Sequence, residues 1–171
     1  MRKTDSENIK ILDFDANYAN EILQIQAECG LSVWSSNDYL GELERADSIF
    51  KIALTANGKI IGFALVHLLV GANGQNDSAV IEFNSSEILN IAVRNLFQHK
   101  GIGQMIFDEL LNEIESKNIA EIWLEVRKLN VNAIKFYQKN NFEMQFERKN
   151  YYTNPTENAC VLRRLIKTAT R

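Results

Sequence analysis

The segment Gln98-His99-Lys100-Gly101-Ile102-Gly103-Gln104 places two glycines and a lysine directly ahead of an amphipathic helical pattern. Such a loop can bind phosphate oxygens. Backbone N–H groups without helical partners meet the positive end of the dipole at a helix start, and glycine lets the backbone approach an anion that a Cβ would hold off. A tight structural turn uses the same residues. Two other phosphate loops fail on spacing: the dinucleotide pattern G-x-G-x-x-G has Ile106 at its third glycine, and G-x-x-x-x-G-K-[ST] is absent. A nicotinamide or ATP enzyme is therefore not expected. Cys29 and Cys160 lack metal-ligand spacing and are too few to staple 171 residues, so they read as free thiols and no metal is expected. His67, inside an apolar run, reads as a structural histidine.

The loop needs a strand before it and a helix after it. SEILNIAV supplies the strand, and Ile102, Met105, Ile106, Leu110, Leu111 and Ile114 form an apolar stripe on a helix from Gly101 to about Lys117. Upstream, IKILDF suits a first strand. Asp15 can cap a helix carrying Ala19, Ile22, Leu23 and Ala27 before Gly30 stops it, and a short helix follows Ser35 or Ser36. FKIALTA and KIIGFALVHLLV flank Asn57-Gly58, a hairpin signal. Residues 71–85 read as a long surface connection. Downstream come the strand AEIWLEVR, a helix that Asn130 can cap, and strands near 142–150 and 158–166. The order β-α-α-β-β-β-α-β-α-β-β implies a mixed α/β sheet with helices on both faces.

Hydrophobic residues make up 46% and charged residues 24%, the composition of a globular protein. A net charge of −3 excludes a broadly basic nucleic-acid coat, so no nucleic-acid partner is expected. Residues 1–86 hold 6 basic and 12 acidic side chains, a net charge of −6, against 13 and 10, or +3, in residues 87–171. An anionic ligand favours the second half. The longest apolar run, from Ile60 to Val70, is broken by Gly62 and His67 and is too short to span a bilayer, so a cytoplasmic protein without a membrane partner is expected. No repeat or linker divides the chain, which reads as one domain, 1–171, with a polar tail at 167–171.

Gln98, Gly101 and Gly103 also fit Q/R-x-x-G-x-G/A, and with them the chain resembles the GCN5-related N-acetyltransferase superfamily. Asn90-Ile91-Ala92-Val93, Trp123-Leu124-Glu125-Val126-Arg127, the run Asn130-x-x-Ala133-Ile134-x-x-Tyr137, and Asn150-Tyr151-Tyr152 look like its ribosomal-protein-alanine acetyltransferase subfamily. The likeness is strong over about residues 88–165 and only in outline before, with Trp34-Ser35 as the best local echo. It implies a single α+β domain with helices on both faces of a mostly antiparallel, centrally splayed sheet. Three features depart from the family pattern. Asn141 stands where glycine is usual, His99 replaces a more usual arginine, and the 71–85 connection is longer.

The resemblance implies transfer of acetyl from acetyl-coenzyme A to a primary amine by direct attack. Glu125 would be the base that takes the amine proton, directly or through water. Alternation places it with Trp123 and Arg127, opposite Leu124 and Val126, where an ordinary ion pair with Arg127 is the alternative reading. Tyr137 would donate a proton to the departing thiolate; its alternative is a core aromatic beside Ala133 and Ile134. The pyrophosphate would lie on Gln98, His99, Lys100, Gly101, Ile102, Gly103 and Gln104. Pantetheine would lie along Ile91, Ala92 and Val93, with Asn130 bonding it as well as capping a helix. Trp34, Asn150, Tyr151 and Tyr152 would form the groove for a protein N-terminus, foremost a small-subunit ribosomal protein beginning with alanine. Two other functions fit the same residues: acetylation of a small amine such as a polyamine or aminoglycoside, and a non-catalytic acyl-coenzyme A module.

Overall fold

The computed structural model describes residues 8–70 and 83–166. Its elements are β1 (Lys10–Asp13), α1 (Ala19–Cys29), α2 (Ser36–Gly41), β2 (Ser48–Leu54), β3 (Ile60–Val70), β4 (Phe83–Val93), α3 (Ile102–Ser116), β5 (Glu121–Arg127), α4 (Val131–Lys139), β6 (Glu143–Thr153) and β7 (Thr156–Leu165). The order is the one expected. Among the described registers only β4–β5 is parallel, so the sheet is mixed and mostly antiparallel. By proximity the chain forms two units, Met1–His67 with Asn90–Glu113, and Leu68–Leu89 with Ile114–Arg171.

In the first unit β1, β2 and β3 pair antiparallel in sequence order. The β2–β3 turn closes with the Gly58 amide donating to Thr55 O at 2.9 Å, and Gly58 takes φ 76°. Asp15 caps a single 3-10 turn, Ala16–Tyr18, that leads into α1, and Gly30 ends α1 at φ 63°. Ser35 and Asp38 form a reciprocal capping box on α2. The buried arcs differ from the expected stripes. On α1, Ala19, Ile22, Ile25 and Gln26 are buried while Ala27 is exposed; on α3, Phe107 joins Ile102, Ile106, Leu110 and Ile114, and Met105 is 40% exposed. At 3.6 residues per turn, Phe107 falls within about 140° of Ile102 on the Leu110 side, whereas Met105 falls outside that arc.

Gly62 sets how closely β3 and the end of β4 approach. A Cβ built there would lie 2.8 Å from Ala92 O, 3.0 Å from Ile106 Cδ1 and 3.2 Å from Val93 Cγ2. Backbone cannot give way as a side-chain tip can, so Gly62→Ala is expected to cost about 1–3 kcal/mol by overpacking. Thermal unfolding should then show Tm lowered by roughly 2–12 °C. An unchanged Tm would show that the Ala92–Val93 segment moves freely.

In the second unit β4, β5, β7 and β6 lie in that order. The expected start of β4 at Ser86 is three residues late. Phe83, Asn84 and Ser85 already belong to the strand: Ser85 pairs with Glu121, and Ala120 N donates to Asn84 O at 2.9 Å. The backbone groups of Asn84 and Ser85 make this ladder although their polar side chains carry no apolar signal. The remainder of the 71–85 connection, 71–82, lies outside the described residues. The parallel ladder runs from Ser85↔Glu121 to Ile88↔Leu124 and stops there. β5 alternates, with Ile122, Leu124 and Val126 buried and Trp123, Glu125 and Arg127 partly exposed. β6 extends past the expected end near 150 because a register shift between Arg148 and Tyr152, with Asn150 at φ 51°, absorbs the irregularity and lets pairing resume. Asn141 takes φ 62°, the left-handed turn that its substitution for glycine required.

Candidate functional site

The first unit builds the glycine loop. β4 ends at Val93, Asn95–Phe97 makes one 3-10 turn, and α3 starts at Ile102. Arg94 ties the base of this turn to its surroundings: Nε donates to Ile60 O at 3.0 Å, Nη1 to Glu28 at 3.1 Å and Nη2 to Gln24 Oε1 at 3.1 Å. Glu28 also accepts from Asn95 N at 2.6 Å. Neither Arg94 nor Glu28 stood out in the sequence, because residues 66 apart carry no shared local pattern. Gln98 Nε2 donates to Val93 O at 2.9 Å and to Asn95 Oδ1 at 3.1 Å, so its side chain closes the loop.

His99 and Gly101 both take positive φ, 58° and 83°, on either side of Lys100. Alternating left-handed residues turn successive N–H groups toward a common concavity. No heavy atom lies within 4 Å of a Cβ built on Gly101, and the first turn of α3 carries no acidic residue. These features fit a phosphate group. Lys100 Nζ folds back onto Leu96 O at 2.7 Å and lies 5.2 Å from the Phe97 ring centroid. Val93 O accepts from both Cys29 Sγ, at 3.4 Å, and Gln98. A carbonyl has two lone pairs, so these donors occupy it.

Also in the first unit, Trp34 is held by Gln26, a buried amide on α1. Gln26 Oε1 accepts from Trp34 N at 3.0 Å and Tyr39 Oη at 2.7 Å, while Nε2 donates to Trp34 O at 3.1 Å. Burial pushes the Tyr39 hydroxyl pKa above the usual tyrosine range. A polar residue inside an apolar helical arc was the sequence signal that could have marked Gln26. His67 Nε2 lies 2.8 Å from Glu42 Oε2, a satisfied structural contact.

The second unit gathers Glu125, Tyr137, Tyr151 and Tyr152. Glu125 follows the last paired residue of β5 in the parallel ladder, Leu124. The ion pair with Arg127, the alternative reading of this residue, is not formed. Instead Arg148 Nη1 of β6 lies 2.5 Å from Glu125 Oε1. The nearby Glu125 carboxylate, ahead of burial, holds the Tyr151 phenol up. Arg127 is drawn away by Glu157 at 3.1 Å, Asn154 O at 3.0 Å and Pro155 O at 3.2 Å, and its guanidinium stacks 4.2 Å from the Tyr152 centroid.

Burial, then the Glu125 charge, pushes the Tyr152 pKa up to about 12. Tyr137, 6% exposed, meets Phe136 and Phe142 edge to face; burial and then Tyr152 hold its pKa well above the usual range. Both phenols therefore keep their protons at neutral pH. Asn130 Oδ1 accepts from Ala133 N at 3.1 Å, the expected cap of α4. Asn150 N donates to Asn158 Oδ1 at 2.9 Å.

An open glycine cradle at a helix start and a β4–β5 ladder that ends beside a carboxylate are features of an acyl-coenzyme A transferase. Residues 19–142 match the acetyltransferase (GNAT) family; the chain belongs to that family and is an acetyl-coenzyme A-dependent N-acetyltransferase. It is 28% identical over 129 residues to the [ribosomal protein bS18]-alanine N-acetyltransferase of Salmonella typhimurium, covering 75% of this chain and 77% of that one. The crystal structure of the ribosomal-protein-S18-alanine N-acetyltransferase from Escherichia coli shares the fold, with a TM-score of 0.79 at 24% identity over 96% and 97% of the two chains. So does Arabidopsis thaliana NAA60 in complex with acetyl-CoA, with a TM-score of 0.80 at 14% identity over 93% and 99%.

Proposed function

We propose that the enzyme acetylates the free α-amine of a protein, foremost a small-subunit ribosomal protein that begins with alanine. The observation that carries this reading is the Glu125 carboxylate at the end of the β4–β5 ladder, whose charge acts on both the Tyr151 and Tyr152 phenols. Tyrosine suits a peptide groove because its ring packs on a short side chain while its hydroxyl bonds backbone. The likeness to acetyltransferases named for ribosomal protein alanine supports the acceptor.

In this reading Glu125 takes the proton from the amine, whose nitrogen then attacks the thioester carbonyl. An α-amino group titrates near 7.7–8.0, within reach of a carboxylate base at neutral pH. The Tyr137 phenol, protonated by its burial, supplies a hydrogen bond and a proton to the departing thiolate. The N–H groups from His99 to Gln104 hold the pyrophosphate. Because the Val93 carbonyl already has two donors in the chain, the pantetheine falls to Ile91 and Ala92 on that strand. Asn150, Tyr151 and Tyr152 receive the acceptor chain.

Initial rates over peptides beginning with alanine, serine, glycine, leucine and lysine, with spermidine alongside, test the acceptor. Alanine should outrun leucine about 10-fold to 200-fold, the discrimination a small pocket gives against an oversized side chain. Spermidine outrunning every peptide would replace the protein acceptor with a small amine.

A further inference from the structure

We propose that Arg148 stands in for the acceptor: its guanidinium occupies the Glu125 carboxylate until the incoming amine, arriving as an ammonium, exchanges with it. The inference rests on Glu125 as the partner of the amine. Arg148 Nη1 lies 2.5 Å from Glu125 Oε1. A base must approach the nitrogen whose proton it takes to about 2.6–3.2 Å, so the guanidinium fills a position the acceptor nitrogen requires.

The two side chains are unequally fixed. Glu125 is 15% exposed and Arg148 is 51% exposed, so the carboxylate stays in place while the guanidinium sits at the solvent rim. Arg127 shows what a pinned arginine looks like on the same face. It is bonded to Glu157, Asn154 O and Pro155 O and stacked on Tyr152. The described contacts of Arg148 are the Glu125 pair and the Tyr151 ring, 5.4 Å away. With its arginine side open to solvent, the pair is weak enough for a ligand to displace.

Exchange keeps one cation on the carboxylate throughout. Leaving a partly buried carboxylate without a partner would be unfavourable, and a second cation crowded beside the first would be repelled. An α-ammonium satisfies both conditions by replacing the guanidinium, whereas an acetylated N-terminus, being neutral, offers the carboxylate no cation and leaves the Arg148 pair in place. Arg148 thus lowers the affinity for the free amine while leaving that for the acetylated product unaffected, a specificity role distinct from holding the strand in shape. After exchange one ammonium proton passes to Glu125, the nitrogen lone pair forms the C–N bond as the C–S bond breaks, the departing thiolate takes the Tyr137 proton, and the second proton lost from nitrogen restores that phenol, so that one proton in all is left on Glu125 for solvent.

The test is calorimetry of an alanine-first peptide and its N-acetylated form, titrated into the enzyme with coenzyme A, which carries no acetyl group to transfer. Arg148→Gln should bind the free-amine peptide about 2- to 5-fold tighter, the range of an exposed pair, and the acetylated peptide unchanged. Arg148→Lys, which keeps a cation, should stay near the parent. Unchanged or weaker binding of the free amine, or an equal shift for both peptides, overturns the inference. Glu125→Gln separates it from the reading beneath: weaker binding of the free amine there, without a gain in Arg148→Gln, overturns the exchange alone. In the Arg148→Gln background, where no cation competes, adding Glu125→Gln should weaken binding of the free amine; an undiminished affinity there shows that the carboxylate is not the partner of the amine and overturns both.

Discussion

Glu125→Gln is expected to lower kcat about 100-fold to 10,000-fold, with the Kd for acetyl-coenzyme A little changed. The amide keeps the shape of the side chain and removes its basic function, together with the charge that pairs with Arg148. That range is usual for general base catalysis and corresponds to about 2.7–5.5 kcal/mol of transition-state stabilisation. The fold should survive, because the ion pair lost with Arg148 is more than half exposed on its arginine side. Tyr137→Phe should also lower kcat, for the complementary reason: the ring continues to pack against Phe136 and Phe142, but the thiolate loses its donor. Burial keeps the Tyr137 proton on far into the alkaline range, so Tyr137 should add no alkaline limb to the rate between pH 6 and 9. Steady-state kinetics across that range, with circular dichroism to verify folding, decide the matter. Wild-type turnover in both folded variants would return Glu125 and Tyr137 to structural roles.

Gly103→Glu is expected to weaken acetyl-coenzyme A binding by 100-fold or more, about 3 kcal/mol, while leaving the protein folded. The two effects separate for a physical reason. Gly103 lies in the first turn of α3, which carries no acidic residue, and a carboxylate there is favourable to the helix dipole. The same carboxylate competes with the pyrophosphate for the N–H groups at the helix start and repels it, and its side chain fills space the anion needs. Calorimetry should therefore show the loss of affinity together with a Tm equal to or slightly above the parent value. Unchanged affinity in that folded variant would mean that the loop is only a turn.

Local chemistry made the framework legible in the sequence. Alternation in Glu121–Arg127 placed Glu125 on its face correctly, because strand geometry has a strict period of two. Asn130, Asp15, Ser35 and Gly30 act within three residues of themselves, so their caps could be read directly. Asn141 kept its left-handed turn for the same local reason. The glycine loop was legible as a candidate for an anion, and the resemblance named its ligand class.

Contacts between distant elements were decided only in the folded chain. Which cation meets Glu125 depends on β6 reaching β5 across β7, with a register shift between Arg148 and Tyr152; the nearest arginine in sequence, Arg127, is drawn instead to Glu157 and the 154–155 turn. The Arg94–Glu28 anchor, the Gln26 clamp on Trp34 and the Gly62–Ala92 approach likewise join residues that share no periodicity. The edges of the apolar stripes went the same way. A helix alone does not say where its buried arc is centred, so Phe107 and Ile25 turn inward, and Met105 and Ala27 outward, only once the surrounding elements fix its rotation. Residue types and short spacings thus determined the elements and the class of chemistry, whereas side-chain partners were set by tertiary packing, because a long-range contact is a property of two segments and is encoded in neither one alone.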